Sequence, residues 1–304
     1  MNWLKKPYIW SIICTLLLIT SSCWILLKAF VLPDRQVAVA TVTTTDTTAA
    51  SSEESTSSAS SEAIVATDTS YTSDGLTITL TEKRVDDTTV YVADIQTADS
   101  SHLLTALAED TYGRNIKETT SAMASENEAV LAINGDYYGF RSTGFVLRNG
   151  TLYRDIANGD TQALVIDKNG NFSIVDESTT SAASLTDAQQ ILSFGPALVE
   201  DSQVVVSTSA EVSQSMTSNP RTAIGQIGEN HYVIIVSEGR TSDSEGLTLY
   251  QLAEQFEALG ATTAYNLDGG GSSTLYFNGK VVNQTVGGND NSDERAVSDI
   301  LYFK

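Results

Sequence analysis

Hydrophobic positions fall into three regimes along this chain. From Ile9 to Leu27 the apolar residues run without a single charge. About 19 residues rising 1.5 Å each make a helix of about 28 Å, close to the hydrocarbon thickness of a bilayer. Residues 36–73 are then about half Ser and Thr, with scattered Asp and Glu and almost no aromatics. That composition buries too little apolar area to fold and predicts a solvated, disordered stalk. From Asp74 the pattern shifts to period two. Leu76-Thr77-Ile78-Thr79-Leu80 and Val90–Ile95 read as strands. Residues 115–128 read as a helix, and Ala129–Ile133 as a short strand of the buried type.

Hairpin signals dominate the remainder of the chain. Gly144–Leu147 meets Leu152–Arg154 across Arg148-Asn149-Gly150-Thr151, and Ala163–Ile166 meets Phe172–Val175 across Lys168-Asn169-Gly170. Thr222–Ile227 meets His231–Val236 across Gly228-Glu229-Asn230, and Thr274–Phe277 meets Lys280–Val282 around Asn278-Gly279. Asn-Gly turns between apolar runs are strong local evidence for hairpins. Leu249–Leu259 is the clearest helix. Thr248 and Gln251 fit a capping box, Leu252, Phe256 and Leu259 share a face, and Gly260 sits just beyond the end. Thr263–Leu267 reads as another strand. The predicted architecture is α+β: one mixed domain over 74–304, dominated by antiparallel strands and hairpins, with a few packed helices. It comes after a membrane segment over 1–35 and the stalk over 36–73.

The apolar run, with basic residues ahead of it, predicts that this domain lies outside the cytoplasm. Lys5 and Lys6 precede the apolar run, the arrangement of a cytoplasmic N-terminus. An uncleaved anchor is favoured over a cleaved signal peptide, whose apolar core spans only about 7–15 residues. Ala38-Val39-Ala40 would serve as the cleavage site, in which case the domain is secreted. Cys14 and Cys23 both lie inside the apolar run, so the exported part has no disulfide and stands on its core alone. Net charge is −21, and residues 1–35 hold four of the 17 basic residues but one of the 38 acidic ones. So acidic a surface repels nucleic acid.

Four segments put glycine, amide, carboxylate and arginine at turns beside strand ends. They are Asn134-Gly135-Asp136-Tyr137-Tyr138-Gly139, Asn219-Pro220-Arg221-Thr222, Ser237-Glu238-Gly239-Arg240 and Asn266-Leu267-Asp268-Gly269-Gly270-Gly271-Ser272-Ser273. Each taken singly suits an ordinary turn. The triple glycine stands out, because three residues without side chains let a backbone approach a ligand and form an anion nest. His102 and His231 are the only histidines, and a Ser-His-Asp set of Ser272 or Ser273 with His231 is a minor alternative. No zinc site or cofactor fingerprint stands out. Asp136, Asp268 or the Asp290/Asp293/Glu294 group leaves room for Ca²⁺ or Mg²⁺.

In order along the chain, Ala132-Ile133-Asn134-Gly135, Asn219-Pro220-Arg221-Thr222-Ala223-Ile224-Gly225, Gly239-Arg240, Gly246-Leu247-Thr248-Leu249, Asn266–Ser273 and Glu294-Arg295-Ala296-Val297 resemble the phosphodiester glycosidase family. The resemblance runs from about Ala106 to Lys304. Two departures are visible: Glu238 stands where the family commonly has Asp before Gly-Arg, and Asp136 stands where relatives often carry an uncharged residue.

The resemblance implies cleavage of a sugar phosphodiester at the anomeric carbon, releasing free sugar and a phosphomonoester. Bacterial members of the family are linked to exopolysaccharide, so a cell-surface glycan is the implied substrate. Arg221, Arg240 and Arg295 are the expected phosphate clamps, since guanidinium matches phosphate oxygens with paired donors. Asn134, Gly135, Thr222, Gly269, Gly270, Gly271 and Ser272 complete the expected substrate contacts. Phosphate leaves readily, its second pKa lying near 6, so one carboxylate suffices as nucleophile or base. Asp268 is the first candidate, Glu238 the second and Asp136 the third; a two-carboxylate scheme would use two of them. The alternatives are a phosphoglycan-binding protein that does not cleave, and a transferase acting on the same linkage.

Overall fold

The computed structural model describes residues 7–38, 40–41, 64–211, 218–287 and 294–304. Its first helix, α1, spans Pro7–Phe30 and leaves most of its apolar side chains exposed, Ile9 being buried. Among the described residues it is the one helix long and apolar enough to cross a membrane.

The domain itself is mixed α+β, as the hairpin signals require. Leu76, Ile78 and Leu80 alternate with exposed threonines in a strand that runs Leu76–Val85. It pairs along its whole length with Thr88–Thr97. Asp86 and Asp87 join the two with φ of 44° and 55°, the two-residue turn that matches strand twist. Both strands outrun the sequence reading, which stops where Glu82-Lys83-Arg84 breaks the apolar alternation. Sheet pairing also begins before Asp74. Val65–Ala66 and Ser70–Ser73 are strands, the latter paired with Leu76–Thr79, so the end of the expected stalk is a sheet edge. Residues 42–63 of that stalk lie outside the described residues.

Three antiparallel sheets enclose a common core. The largest carries, in order, Ala197–Glu200, Thr263–Asn266, Arg221–Gly228, His231–Ser237, Thr88–Thr97 and Leu76–Val85, with short strands at both edges. A second contains Leu131–Asn134 and Leu275–Phe277, with Asp299–Phe303 seated between Leu131–Asn134 and Leu103–Leu107. The third is built from the two Asn-Gly hairpins, Val146–Arg148 with Thr151–Arg154 and Gln162–Asp167 with Phe172–Asp176. Ile78, Ile95 and Ile234 from the first sheet meet Ile133, Phe277 and Leu301 from the second and Leu164 and Leu192 from the third.

Helices cover the outer faces. Helix α2 is Thr120–Glu126, shorter than the predicted 115–128 because Thr119 caps it and Glu118 instead pairs with Val297. Helix α3, Leu249–Ala258, has the Thr248/Gln251 capping box and ends at Gly260 with φ of 82°. Its Leu249, Leu252 and Phe256 pack on Val233, Ile235 and Ala223 of the largest sheet. Each fully buried side chain of this kind contributes about 1.5–3 kcal/mol.

Candidate active site

Strand ends from two sheets converge at one side of the core. Asn134 ends one strand, Asp299 opens its neighbour, and Asp268 follows the strand Thr263–Asn266 of the other sheet. Asn134 is the clip between them. Its Nδ2 donates to the Asp268 carbonyl at 2.6 Å, and its Oδ1 accepts from Thr222 Oγ1 at 2.9 Å and from the Thr274 N–H at 3.2 Å. An Asn is needed here because one side chain must donate and accept at once.

Beyond Asp268 the three glycines form a tight turn flanked by two arginines. Gly270 N–H donates to the Pro220 carbonyl at 2.8 Å, tying the turn to the Asn219-Pro220-Arg221 segment. A Cβ at Gly270 would lie 3.0 Å from Arg240 Nη2, and one at Gly271 only 2.4 Å from Arg295 Nη2. The missing side chains are therefore the space the guanidinium groups occupy. The N–H groups of Ser272 and Ser273 bond back into the turn.

A cleft of about 340 Å³ opens beside this turn, lined by Asp136, Tyr137, Phe140, Asp268, Ser272 and Arg295, with Lys117 and Ser298 at its margin. Tyr137 and Phe140 stack at 4.6 Å in its wall. Asp268 is half-buried and joins no ion pair among the described residues. Burial pushes its carboxyl up to about 6, against the opposing pull of Ser272, Arg295 and Arg141.

Behind the wall lies a fully buried ionic cluster. Arg148 Nη2 sits 2.8 Å from Asp136 and 2.7 Å from Asp299. Burial opposes the guanidinium charge, but the two carboxylates more than restore it. The Asp299 carboxyl is pushed upward, first by burial and then by Asp136 and Asp268, with Arg148 pulling the other way. Among the described residues its Oδ1 has no hydrogen-bond partner, and a Cβ at Gly135 would lie 2.4 Å from that oxygen. Gly135 is thus the notch that admits Asp299.

The three candidate carboxylates have different surroundings. Asp136 accepts from Arg148, from Ser193 N–H at 2.9 Å and from Tyr138 N–H at 3.0 Å, so both its oxygens are committed. Glu238 accepts from Gln284 N–H at 2.7 Å, Tyr91 Oη at 3.3 Å and Ser244 Oγ at 3.2 Å. Asp268 lines the cleft and, among the described residues, joins no ion pair, with the Ser272 hydroxyl set against its carboxylate.

The expected clamps also divide. Arg295 lines the cleft. Arg240 holds Asn219 Oδ1 at 2.6 Å on the other flank of the turn. Arg221 is buried, donates to the Leu247 carbonyl at 2.9 Å, and burial brings its guanidinium down to about 10. Asp290 and Asp293 lie outside the described residues, and Glu294 caps α2 through Ser121 N–H at 3.0 Å. His231 pairs with Asp94 at the far end of a seven-residue strand from Ser237. That strand is about 20 Å long, which removes His231 from Ser272.

Sequence reasoning misses Arg148, which reads as a turn residue, and also Asp299, Arg141 and the Tyr137/Phe140 pair. An acidic residue opening the apolar strand Asp299–Phe303 is the available signal for one of them. Arg141 lies 5.5 Å over Tyr137 and 5.0 Å over Phe194.

Residues 127–304 match the family model described as phosphodiester glycosidase. A Bacillus subtilis (strain 168) protein, the SPbeta prophage-derived uncharacterized protein YomE, is 34% identical over 199 residues, covering 62% of this chain and 30% of that protein. Mouse N-acetylglucosamine-1-phosphodiester alpha-N-acetylglucosaminidase is 39% identical over 59 residues, 19% of this chain and 11% of the mouse protein. The chain thus spans less than a third of either relative. Among solved structures, the zebrafish N-acetylglucosamine-1-phosphodiester alpha-N-acetylglucosaminidase catalytic domain, auto-inhibited by its pro-peptide, superposes with a TM-score of 0.60 at 20% identity. That match covers 75% of this chain and 82% of the zebrafish one. A hypothetical protein from Synechocystis gives 0.58 at 14% identity, covering 76% and 62%. With more than half of its length matched by the family model, and the motif segments gathered at one end of its core, this chain belongs to the phosphodiester glycosidase family.

Proposed function

We propose that this protein is a membrane-anchored extracellular hydrolase that cleaves sugar phosphodiesters at the anomeric carbon. The observation that carries the reading is Asp268, a half-buried carboxyl raised to about 6, opening on a cleft beside Arg295 and the glycine turn. The substrate phosphodiester is an anion and needs a local cation in a chain of charge −21. Arg295 supplies it from the cleft wall, and Arg141, set over the Tyr137 and Phe194 rings, adds positive charge nearby. The half-buried Tyr137/Phe140 stack in the cleft wall offers an aromatic surface suited to a sugar ring.

Asp268 acts in its ionised form, as base for water or as nucleophile at the anomeric carbon. A pKa near 6 makes it a stronger base than an ordinary carboxylate while leaving it ionised at neutral pH. The C–O bond breaks, and the electron pair leaves on phosphate, which needs no protonation in step. Asn134 and the buried Arg148–Asp299 pair position this carboxylate, and Asp136, held by Arg148, forms part of the cleft wall beside it. Helix α1 holds the domain at the outer membrane surface, and exopolysaccharide or another surface glycan supplies the substrate.

The test is direct. The detergent-solubilised full chain is incubated with N-acetylglucosamine 1-phosphate methyl diester and a panel of other sugar 1-phosphate diesters. Release of free sugar by wild type, lost in Asp268→Asn, supports the reading. An Asp268→Asn protein as active as wild type removes Asp268 from the chemistry.

A further inference from the structure

The end of the membrane helix is bound to the loop that builds the cleft wall. Asn115 Nδ2 donates to the carbonyls of Ala29 at 3.4 Å and Leu32 at 3.2 Å. Immediately afterwards Asp34 and Arg35 pair antiparallel with Arg114 and Gly113, and Gln36 N–H donates to the Tyr112 carbonyl at 2.9 Å. The same loop continues into the site. Asn115 N–H donates to the Gly139 carbonyl at 3.1 Å, inside the turn that carries Phe140, and Lys117 stands at the cleft margin.

Two residues of extended chain span about 7 Å, so Lys117 lies within about 7 Å of a residue bonded to the helix end. Headgroups add roughly 5–7 Å to each side of the hydrocarbon. The cleft therefore stands at headgroup depth, not at the tip of a stalk. Charge agrees with this placement. Across residues 28–36 and 109–118, Lys28, Arg35, Arg114 and Lys117 balance Asp34, Glu109, Asp110 and Glu118. This side of a strongly acidic protein is neutral, where an anionic bilayer repels it least.

We infer that the substrate is a lipid-linked sugar phosphodiester, a sugar joined through its anomeric phosphate to a bilayer-embedded alcohol. The inference rests on the glycosidase reading above and names its substrate class. Water adds at the anomeric carbon, the C–O bond to phosphate breaks, and free sugar leaves while the phosphomonoester stays on the lipid.

The experiment uses the full chain reconstituted in phosphatidylcholine vesicles. Two probes share one head group: N-acetylglucosamine 1-phosphate as its soluble methyl diester and as its hexadecyl diester inserted in the same vesicles. We expect kcat/KM about tenfold or more higher for the hexadecyl diester, the gain of confining both partners to one surface. A flexible spacer of about twelve residues inserted after Leu32 lifts the cleft away. It should abolish that preference and leave the methyl diester rate within about twofold. Asn115→Ala, which leaves the covalent spacing intact, should lower the preference in the same direction. Equal rates on both probes, or a preference unmoved by the spacer, would overturn the inference while leaving the glycosidase reading standing. Cleavage of neither probe would sink the glycosidase reading and this inference with it.

Discussion

Asn134 Nδ2 lies 2.6 Å from the backbone carbonyl of Asp268, across 134 residues of chain. This bond joins two sheets at the point where the candidate carboxylate emerges. Asn134 is fully buried, with further bonds to Thr222 and Thr274. Asn134→Ala leaves those partners unsatisfied at about 1–3 kcal/mol each. We expect a destabilisation of several kcal/mol by chemical denaturation, and a kcat loss exceeding tenfold in the fraction that still folds.

Asp268 should cost the protein stability at neutral pH. Its folded pKa of about 6 exceeds the ordinary 3.8, so between those values the folded state binds more protons than the unfolded one. Stability therefore falls as pH rises through this window, by roughly 1–3 kcal/mol in total. Asp268→Asn removes the penalty. Its Tm should exceed wild type at pH 7.5 and match it at pH 3.5, while sugar release is lost.

On the proposed mechanism the same carboxyl sets the pH profile of the reaction. With an ionised Asp268 required, kcat/KM should rise with pH through an apparent pKa near 6. Arg295 favours the charged form, so Arg295→Gln should shift that limb to higher pH and raise KM. A limb that falls through 6 would mean that Asp268 acts as an acid.

Gly271→Ala places a Cβ 2.4 Å from Arg295 Nη2. The guanidinium must then move. We expect KM to rise about tenfold or more with Tm changed by only a few degrees, read from steady-state kinetics and thermal melts.

Arg148 pairs with two buried carboxylates at 2.8 and 2.7 Å. Arg148→Leu strands both, and breaking a buried pair from one side costs about 3–5 kcal/mol. Urea titration should find this variant among the least stable single substitutions in the domain.

Local chemistry is legible in the sequence wherever a turn or cap announces itself. Asn149-Gly150, Asn278-Gly279 and the Thr248/Gln251 box all form as their residues predict. The family motifs also gather near one another, since Asn134, Thr222, Asp268 and Arg295 surround a single turn. What the sequence hides is the division of labour among like residues. Asp136 and Asp268 both line the cleft, but Arg148, twelve residues past Asp136 and reading as part of a hairpin turn, engages only the first. Asp299 escapes notice because a lone acid before Ile-Leu-Tyr-Phe carries no motif. The stalk boundary moves because Val65–Ala66 and Ser70–Ser73 gain from backbone pairing, to which side-chain composition is blind.

The strand Asp299–Phe303 lies inside its sheet, between segments near residues 105 and 133. It supplies the carboxylate that closes the ionic cluster and the backbone oxygen that receives Gly135 N–H at 2.9 Å. During synthesis, every earlier motif leaves the ribosome before this strand does. Until residue 299 arrives, Arg148 faces Asp136 alone and Gly135 closes on an empty notch. A nascent chain that has not yet added Asp299–Phe303 thus carries the triglycine turn without the ionic backing of its cleft, so assembly of the site waits on this strand.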